Sequence, residues 1–434
     1  MKILKGTKIC SCGKRHNGLL DEYIIEKGAV ARVAEFVKKQ CGTKAFLLAD
    51  KNTYAVAGAQ VVQSLQNAGI RFSEYIFQSS PKPDEVAVGS AVMHYDASCD
   101  IIVGIGSGVI NDIGKILAKT TGNPYIIVAT APSMDGYASA SSSMEVDGLK
   151  SSLNTKCANV IIGDIDILKN APMRMLVSGI GDMLAKYVSI CEWRIGHLIT
   201  GEYYCEEVAS LIRTAVQKCA DNAAGLLKRD ETAVAAVFEG LILGGVAMNY
   251  AEVTRPASGV EHYFSHIWDM RTLEFGTPSD FHGIQCAIGT RYAIKAYDQL
   301  KHVVPNREKA ISYAQSFDWP AHQETLRAFL GKGGQSMITI AEKEGKYDLG
   351  KHAQRLDRIL AHWDEILQVI DEELLTPAEL ELILDALNAP KTAAEIGIDE
   401  SLTVTTFRMT KDIRDKYVLS RLCWDLGILD EIAF

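Results

Sequence analysis

The chain has 434 residues, of which 47% are hydrophobic and 23% are charged, a balance that is ordinary for soluble globular proteins. This length allows two or more domains, each with its own core, and the net charge of −9 argues against nucleic acid or an anionic membrane as a partner. Ten scattered cysteines, the lack of a cationic and then apolar leader, and the lack of an apolar run long enough to cross a bilayer predict a cytoplasmic protein.

The first motif along the chain is CSCGKRH, which contains Cys10, Cys12 and His16. Three soft ligands this close together could bind a metal. No fourth ligand is evident in the sequence, however, and Cys-x-Cys alone is a weak signal. A structural or incidental role is therefore favoured for these three residues.

Apolar, β-branched runs alternate with helical stretches over roughly the first 165 residues. Strands are predicted at 44–50, 71–77, 99–106 and 125–130, helices at 57–69, 83–95 and 107–120, and a hairpin with a closing strand within 148–164. Such alternation is typical of a doubly wound, mostly parallel sheet that is covered by helices on both faces.

The pattern changes after Pro172. From Met173 onward, apolar residues recur at helical spacing, and the clearest breaks lie at 255–259, 276–283, 328–336 and 387–395. The sequence therefore predicts an α/β domain over residues 1–170 and an all-helical domain over residues 171–434.

The segment GIGSG, Gly104 to Gly108, follows a predicted strand and opens a predicted helix. Glycines at such a turn let the backbone approach a pyrophosphate, whose charge is met by amide N–H groups and the helix dipole. The usual Gly-x-Gly-x-x-Gly pattern is incomplete because Val109 occupies the third glycine's place. Phosphate binding is favoured, with a purely structural turn as the alternative. Asp50, at the end of the first predicted strand, suits ribose hydroxyls.

The next predicted strand ends in a loop rich in hydroxyl groups, TAPSMDGYASASSS, residues 130–143. Open α/β sheets bind ligands at the carboxyl ends of their strands. A polar surface loop is the alternative, but two neighbouring strand ends with such loops favour a binding site.

Two histidines, His262 and His266, are four residues apart and share one face of a predicted helix. The spacing is that of zinc proteases, although Tyr263 occupies the place of their glutamate. A catalytic divalent cation commonly has three protein ligands, and His282 and Asp182 are the best candidates to complete the set. Such ligands suit Zn²⁺, Fe²⁺, Ni²⁺ or Co²⁺, and buried core histidines are the alternative.

Five segments together resemble the glycerol-1-phosphate dehydrogenases, a family within the superfamily of iron-type alcohol dehydrogenases, glycerol dehydrogenases and dehydroquinate synthases. The segments are GIGSGVINDIGK, VATAPSMDGYASASSSM, GIGDMLAKY, SGVEHYFSH and FHGIQCAIGTRY. The resemblance covers roughly residues 25–300, and the run 130–137 is quite specific to the branch that uses a phosphorylated substrate. It implies a dehydroquinate synthase-like fold, with a dinucleotide-binding α/β domain and a helical domain that binds metal and substrate.

The resemblance also implies a role for each matching residue. Those expected to bind NAD(H) or NADP(H) are Asp50, Gly104, Ile105, Gly106, Ser107, Gly108, Thr130, Ala131, Pro132, Ser133 and Ser139. Those expected to hold one divalent metal ion, Ni²⁺ or Zn²⁺, are Asp182, His262 and His282. Asp135, Asp182 and His266 are expected to contact the substrate, with Asp182 and His266 as catalytic residues. Lys186, Arg255 and Arg291 are unranked candidates for the substrate phosphate.

The implied activity is the metal-dependent interconversion of dihydroxyacetone phosphate and sn-glycerol 1-phosphate, a step of phospholipid metabolism, by a homodimer. The first alternative is another metal-dependent polyol or alcohol dehydrogenase of the superfamily, similar to glycerol dehydrogenase. A lyase related to dehydroquinate synthase and a non-catalytic nucleotide-binding or metal-sensing protein are further alternatives. The tail beyond about residue 330 matches no motif and either extends the helical domain or forms a dimer contact.

Overall fold

The computed structural model describes residues 9–434, and the chain divides into two compact units. Of the described residues, the sheet unit comprises residues 9–183 and Ser210–Val253, and the helical unit comprises Leu184–Ala209 and Thr254–Phe434. The predicted boundary near residue 170 marks the place where strands give way to helices. The compact units follow a different division, because residues 171–183 and 210–253 of the predicted helical domain belong with the sheet.

The strands are β1 (Glu22–Glu26), β2 (Lys44–Asp50), β3 (Arg71–Phe77), β4 (Ile101–Gly106), β5 (Tyr125–Ala129), β6 (Ser141–Val146), β7 (Leu149–Asn154) and β8 (Val160–Asp164). The first nine helices are α1 (Val33–Lys39), α2 (Lys51–Thr53), α3 (Ala59–Asn67), α4 (Glu85–Met93), α5 (Gly108–Thr121), α6 (Ile165–Leu168), α7 (Met173–Thr200), α8 (Glu206–Asn222) and α9 (Glu231–Ala251). The remaining helices are α10 (Val260–Phe275), α11 (His282–Leu300), α12 (Arg307–Ser316), α13 (Trp319–Leu330), α14 (Lys332–Glu344), α15 (Leu349–Ala361), α16 (Trp363–Glu373), α17 (Pro377–Ala386), α18 (Thr403–Thr410) and α19 (Leu419–Asp425).

Six strands form one parallel sheet in the order β1-β8-β5-β4-β2-β3, which confirms the predicted fold class. Its central strands are fully buried, as the continuous apolar runs of β4 and β5 require for a sheet covered on both faces. Strand β1 was not predicted from the sequence. This strand is short and partly exposed, and glutamates at both of its ends mask its apolar centre.

The register of the sheet aligns the strand ends that carry the predicted cofactor residues. Ala49 of β2 lies opposite Ile105 of β4, and Gly106 of β4 lies opposite Ala129 of β5. The residues that follow these positions therefore emerge at one edge, which we call the carboxyl edge.

The hairpin β6–β7 begins earlier than predicted. Ser141 pairs with Asn154 and Ser143 pairs with Ser152 in an antiparallel ladder. These serines therefore belong to a strand and not to the hydroxyl-rich loop, which ends at residue 140. Serine carries little periodicity signal, and pairing with β7 decides its conformation.

Helix α9 is the one helix among residues 9–434 that is long and apolar enough, by length and composition, to cross a membrane. Within its most apolar 18-residue window, 72% is buried inside the structure. Its apolar composition is therefore that of a core helix. This helix was not singled out from the sequence.

The C-terminal tail packs within the helical unit. The ring of Phe264 on α10 lies 6.3 Å from the ring of Phe407 on α18 and 6.3 Å from that of Phe434. Tyr292 on α11 lies 5.1 Å from Phe434. The tail thus extends the helical core around α10 and α11, which was one of the two roles left open by the sequence.

Candidate active site

The glycine-rich turn joins β4 to α5 at the carboxyl edge. A Cβ added to Gly104 would lie 2.4 Å from the hydroxyl oxygen of Tyr125, and one added to Gly106 would lie 2.5 Å from Cβ of Ile110. Packing of the turn therefore requires both glycines whether or not a ligand binds. Helix α5 begins at Gly108, and the N–H groups at the start of a 14-residue helix are suited to an anion.

Asp50 ends β2 and is the N-cap residue of α2. Its Oδ1 accepts hydrogen bonds from the backbone N–H groups of Asn52 (2.8 Å) and Thr53 (3.0 Å). From the sequence, this carboxylate was expected only to contact a ribose. The structure adds a local role, since an N-cap satisfies donors that the helix itself cannot.

Two polar residues of α5, Lys115 and Asn111, form hydrogen bonds with the hydroxyl-rich loop. The buried Lys115 ammonium donates to Gly136 O (3.1 Å) and Ser139 Oγ (3.3 Å) and pairs with Asp112 Oδ1 (3.0 Å). Asn111 Nδ2 also donates to Gly136 O, at 3.0 Å. Sequence reasoning missed these residues, although polar side chains on a buried helix face were an available signal.

The predicted cofactor residues of this loop lie beside the glycine-rich turn. The N–H of Thr130 donates to Gly106 O at 3.1 Å, and the Tyr137 hydroxyl donates to Ala131 O at 2.6 Å. The hydroxyl of Ser139 donates to Gly136 O (3.2 Å) and Ser141 O (3.0 Å), so it stabilises the loop itself. The two loops predicted from the sequence are therefore adjacent at the carboxyl edge.

Helix α7 brings Asp182 to the same loop. Asp182 is fully buried, and its Oδ2 accepts a hydrogen bond of 2.9 Å from the backbone N–H of Asp135. One turn earlier, Ser178 Oγ donates to Ser133 O at 2.8 Å. A predicted metal ligand and a predicted substrate contact are thus neighbours within the sheet unit.

The three predicted histidines are neighbours within the helical unit. On α10 and α11, the ring of His262 lies 5.1 Å from that of His282, and the ring of His266 lies 5.9 Å from that of His282. His262 is buried, whereas His266 and His282 are partly exposed. The helical register read from the sequence therefore brings all three to one place.

The polar partners of these histidines orient their rings. His262 Nδ1 lies 2.7 Å from Glu261 Oε1, which also accepts the N–H of Gly259 at 2.7 Å. His282 Nδ1 lies 2.9 Å from Ser265 Oγ. A carboxylate or hydroxyl at Nδ1 orients the imidazole ring, and such a partner is usual for metal-binding histidines.

Cys286 is a further donor that the sequence analysis missed. It lies one turn after His282 on α11, and its Sγ is 3.6 Å from His282 Nε2. Ligand atoms of His262, His282 and Cys286 all lie within 4.8 Å of one another. Imidazole and sulfur donors at this spacing fit a transition metal such as Zn²⁺ or Ni²⁺.

A second set of buried charges holds the N-terminal end of α10. Glu192 accepts the N–H groups of Val260 (2.9 Å) and Leu419 (2.8 Å), and burial together with the Glu261 carboxylate raises the pKa of Glu192 above its ordinary value. Lys416 donates to Ser258 O at 2.7 Å, and burial, with Arg255 nearby, lowers the pKa of Lys416 to about 7. Residues of the tail therefore hold the helix that carries His262.

Two of the three cations considered for the substrate phosphate already pair with a carboxylate. Arg255 Nε donates to Glu202 Oε2 at 2.7 Å, and Arg291 pairs with Glu381. The fully buried Lys186 donates to Ala257 O at 3.0 Å. A phosphate at either arginine would have to compete with an existing carboxylate.

The chain is similar to known proteins in sequence and in fold. The sequence pattern of the iron-containing alcohol dehydrogenase family matches residues 24–172. A protein of Halalkalibacterium halodurans named glycerol-1-phosphate dehydrogenase [NAD(P)+] is 32% identical over 65% of this chain and 72% of its own. Proteins of the same name from Bacillus velezensis and Methanothrix thermoacetophila are 30% and 34% identical, over 73% and 61% of this chain and 82% and 73% of their own.

Solved structures share the fold at low sequence identity. A probable glycerol dehydrogenase from Sinorhizobium meliloti superposes with a TM-score of 0.61 at 16% identity, over 95% of this chain and 97% of its own. A 1,3-propanediol oxidoreductase superposes with a TM-score of 0.62 at 14% identity, over 95% of this chain and 98% of its own. From the sequence relatives and this shared fold, the chain belongs to the glycerol-1-phosphate dehydrogenase family of the iron-containing alcohol dehydrogenase superfamily, and it is an oxidoreductase of that group.

Proposed function

We propose that this enzyme interconverts dihydroxyacetone phosphate and sn-glycerol 1-phosphate in the cytoplasm, as a homodimer, with NAD(H) or NADP(H) as the hydride carrier. The observation that carries the proposal is the hydrogen bond from Asp135 N–H to Asp182 Oδ2. It links the loop that is quite specific to the phosphate-using branch to a carboxylate suited to a metal. Relatives of 30–34% identity that are named for this reaction support the same substrate.

The residues proposed to hold a divalent cation are Asp182, His262 and His282. Two observations support this set: Asp182 is fully buried beside the substrate loop, and a carboxylate or a hydroxyl at Nδ1 orients the ring of each of the two histidines. When bound, a divalent cation supplies Lewis-acid stabilisation of negative charge on a substrate oxygen.

The chain's own groups would bind and orient the two substrates. The N–H groups at the start of α5 and the carboxyl edge loops would bind the dinucleotide, with Asp50 against its ribose. Asp135 would contact the hydroxyl end of the triose. His266, one turn after His262 and partly exposed, would contact the substrate and hold the exchanged proton on a ring nitrogen.

The substrate assignment is tested by comparing dihydroxyacetone phosphate with dihydroxyacetone as acceptors for NADH oxidation. A site built to receive a phosphate dianion leaves charged donors unpaired with the truncated ketone, so kcat/KM should fall by about 10³-fold or more. The product should also be inert to a dehydrogenase specific for the sn-3 isomer. Equal rates with both ketones, or oxidation of the product by that enzyme, would instead support a polyol dehydrogenase similar to glycerol dehydrogenase.

The metal assignment is tested by the metal content and turnover of three histidine variants. His262→Ala and His282→Ala should lose the catalytic metal together with turnover, whereas His266→Ala should keep the metal and lose turnover. His302→Ala, an exposed histidine of the same unit, is the matched control and should change neither. Loss of metal from His266→Ala, with retention in His262→Ala, would reverse the proposed roles of the two residues.

A further inference from the structure

The segment CSCGKRH has no part in the proposed activity, yet the structure folds it into a compact group of metal-ligand atoms. Cys10 and His16 are buried, and Cys12 is partly buried. The sulfurs of both cysteines and a ring nitrogen of His16 lie within 4.8 Å of one another, and Cys12 Sγ is 3.5 Å from His16 Nε2. With metal–ligand bonds of about 2.3 Å to sulfur and about 2.0 Å to nitrogen, ligand atoms of tetrahedral zinc lie roughly 3.5–4 Å apart. The distance between Cys12 Sγ and His16 Nε2 matches that geometry, and the other ligand distances do not exceed 4.8 Å.

The backbone of this segment forms a closed turn that brings the two thiols together. Gly13 N–H donates to Cys10 O at 2.9 Å, and Cys10 N–H donates to Lys14 O at 2.9 Å. Gly13 has a φ of +84°, a conformation that favours glycine. The N–H of Cys12 donates to Cys10 Sγ at 3.5 Å. The turn therefore fixes the position of Cys10 Sγ next to the backbone of Cys12.

The orientation of the His16 ring is set by a contact between its Nδ1 and a backbone carbonyl oxygen. His16 Nδ1 lies 2.9 Å from the backbone carbonyl oxygen of Tyr250. Because a carbonyl can only accept, the neutral imidazole places its hydrogen on Nδ1 and its lone pair on Nε2, the nitrogen next to Cys12. A backbone carbonyl at the far nitrogen is a common second partner of zinc-binding histidines.

Hydrogen bonds connect this segment to the C-terminal end of α9, and α9 also contacts the substrate loop. Lys14 Nζ donates to Ala251 O (3.1 Å) and to Glu252 Oε2 (2.9 Å) at the C-terminal end of that helix. Asn249 Nδ2 donates to Ala138 O at 2.7 Å, and Asn249 Oδ1 accepts from the N–H of Ala140 at 3.2 Å. A metal ion in the turn would thus stabilise the end of α9 close to residues that shape the site.

We propose that Cys10, Cys12 and His16 bind a structural zinc ion, separate from the catalytic metal. Two cysteines and a histidine are zinc ligands, and each thiol loses its proton to solvent when the metal binds. A fourth donor completes a structural site. Serine variants of the remaining buried cysteines are the means to identify it.

The test uses the full-length His262→Ala/His282→Ala variant, which removes the proposed catalytic ligands, so that zinc retained after dialysis reports the second site. We expect about one equivalent of zinc by mass spectrometry and an X-ray absorption spectrum with a sulfur shell near 2.3 Å. Adding Cys12→Ser or His16→Gln should remove that zinc, and Cys41→Ser, an exposed cysteine, should not. Because the measurement is metal content, it remains valid if the proposed substrate is wrong.

A second measurement does not depend on the folding of any one variant. Co²⁺ added to the chelated wild-type enzyme should give thiolate-to-cobalt charge-transfer absorption, which Cys41→Ser should retain and His16→Gln should lose. Absence of both zinc in the double variant and the cobalt band in the wild type would overturn the proposal. Zinc without a sulfur shell, or unchanged zinc in both Cys12→Ser and His16→Gln, would also overturn it.

Discussion

Gly179→Ala should separate the substrate loop from α7, the helix that carries Asp182. A Cβ at Gly179 would lie 1.8 Å from the carbonyl oxygen of Pro132 and 3.2 Å from Leu241 Cδ1. Because the first of these atoms belongs to backbone, helix and loop must move apart by about 1 Å or more to reach van der Waals distance. The movement would lengthen two hydrogen bonds: the one from Ser178 Oγ to Ser133 O, now 2.8 Å, and the one from Asp135 N–H to Asp182 Oδ2, now 2.9 Å.

The expected cost has a structural and a catalytic part. Overpacking of this kind costs about 1–3 kcal/mol, and weakening two buried hydrogen bonds adds about 1 kcal/mol each, so the free energy of unfolding should fall by roughly 3–5 kcal/mol. A displacement of about 1 Å in a positioning element can lower the rate by about 100-fold. We therefore expect kcat/KM for dihydroxyacetone phosphate to fall about 100-fold.

The assay is NADH oxidation together with thermal and urea unfolding of the variant. Gly89→Ala is the matched control, because this glycine lies within α4 and a Cβ there meets nothing within 4 Å. That substitution should raise stability by about 0.5–1 kcal/mol and leave kcat/KM unchanged. A Gly179→Ala enzyme with wild-type kcat/KM and the stability of Gly89→Ala would refute the close approach of α7 and the loop.

Three further predictions concern the cofactor, the metal and a buried charge. Asp50→Ser keeps an N-cap acceptor but removes the carboxylate, so the ratio of kcat/KM for NADPH over NADH should rise about tenfold. Asp50→Ala should in addition lose about 1 kcal/mol of stability. An unchanged ratio would mean that Asp50 does not contact the ribose. Exhaustive chelation should abolish turnover, leave a cooperative thermal transition, and be reversed by Ni²⁺ or Zn²⁺, and full activity without metal would contradict the metal site. Asp412→Asn should cost about 3–5 kcal/mol in urea unfolding at pH 7, because Asp412 is buried against Lys411 (2.7 Å) and His322 (2.9 Å). Burial alone would raise the pKa of Asp412, but Lys411 and His322 hold it well below its ordinary value. The contribution of Asp412 to stability is therefore present above about pH 4 and should fade as the pH drops further. A constant difference in the free energy of unfolding between variant and wild type at lower pH would contradict this reasoning.

Local sequence patterns were sufficient to predict the order and type of most elements. Apolar runs of strand length alternating with helices predicted the parallel sheet, and the structure has strands at Lys44–Asp50, Arg71–Phe77, Ile101–Gly106 and Tyr125–Ala129. In a parallel sheet the carboxyl ends of strands share one edge, so the neighbourhood of the two ligand loops followed directly. The spacing of His262 and His266 likewise needed only the period of a helix.

Several features depend on contacts between residues far apart in sequence, and local patterns do not contain them. The sheet places Tyr125 over Gly104 and requires a glycine there, although the sequence alone suggested a ligand as the reason. Lys115 is buried under the substrate loop only because α5 packs beneath it. Glu192 accepts the N–H of Leu419, 227 positions later, and this contact brings the unmatched tail to the base of α10.

The α/β and helical regions, the two loops of the carboxyl edge and the shared face of the histidines could be predicted without a structure, because each follows from a period of two or 3.6 residues or from strand direction. The donors that surround those side chains depend on tertiary packing. Glu261 on His262 Nδ1, Ser265 on His282 Nδ1 and the thiol of Cys286 near His282 Nε2 all depend on how α10 and α11 pack. Helical period places a residue on a face, but only the packing of one helix against another selects the atoms that the face meets.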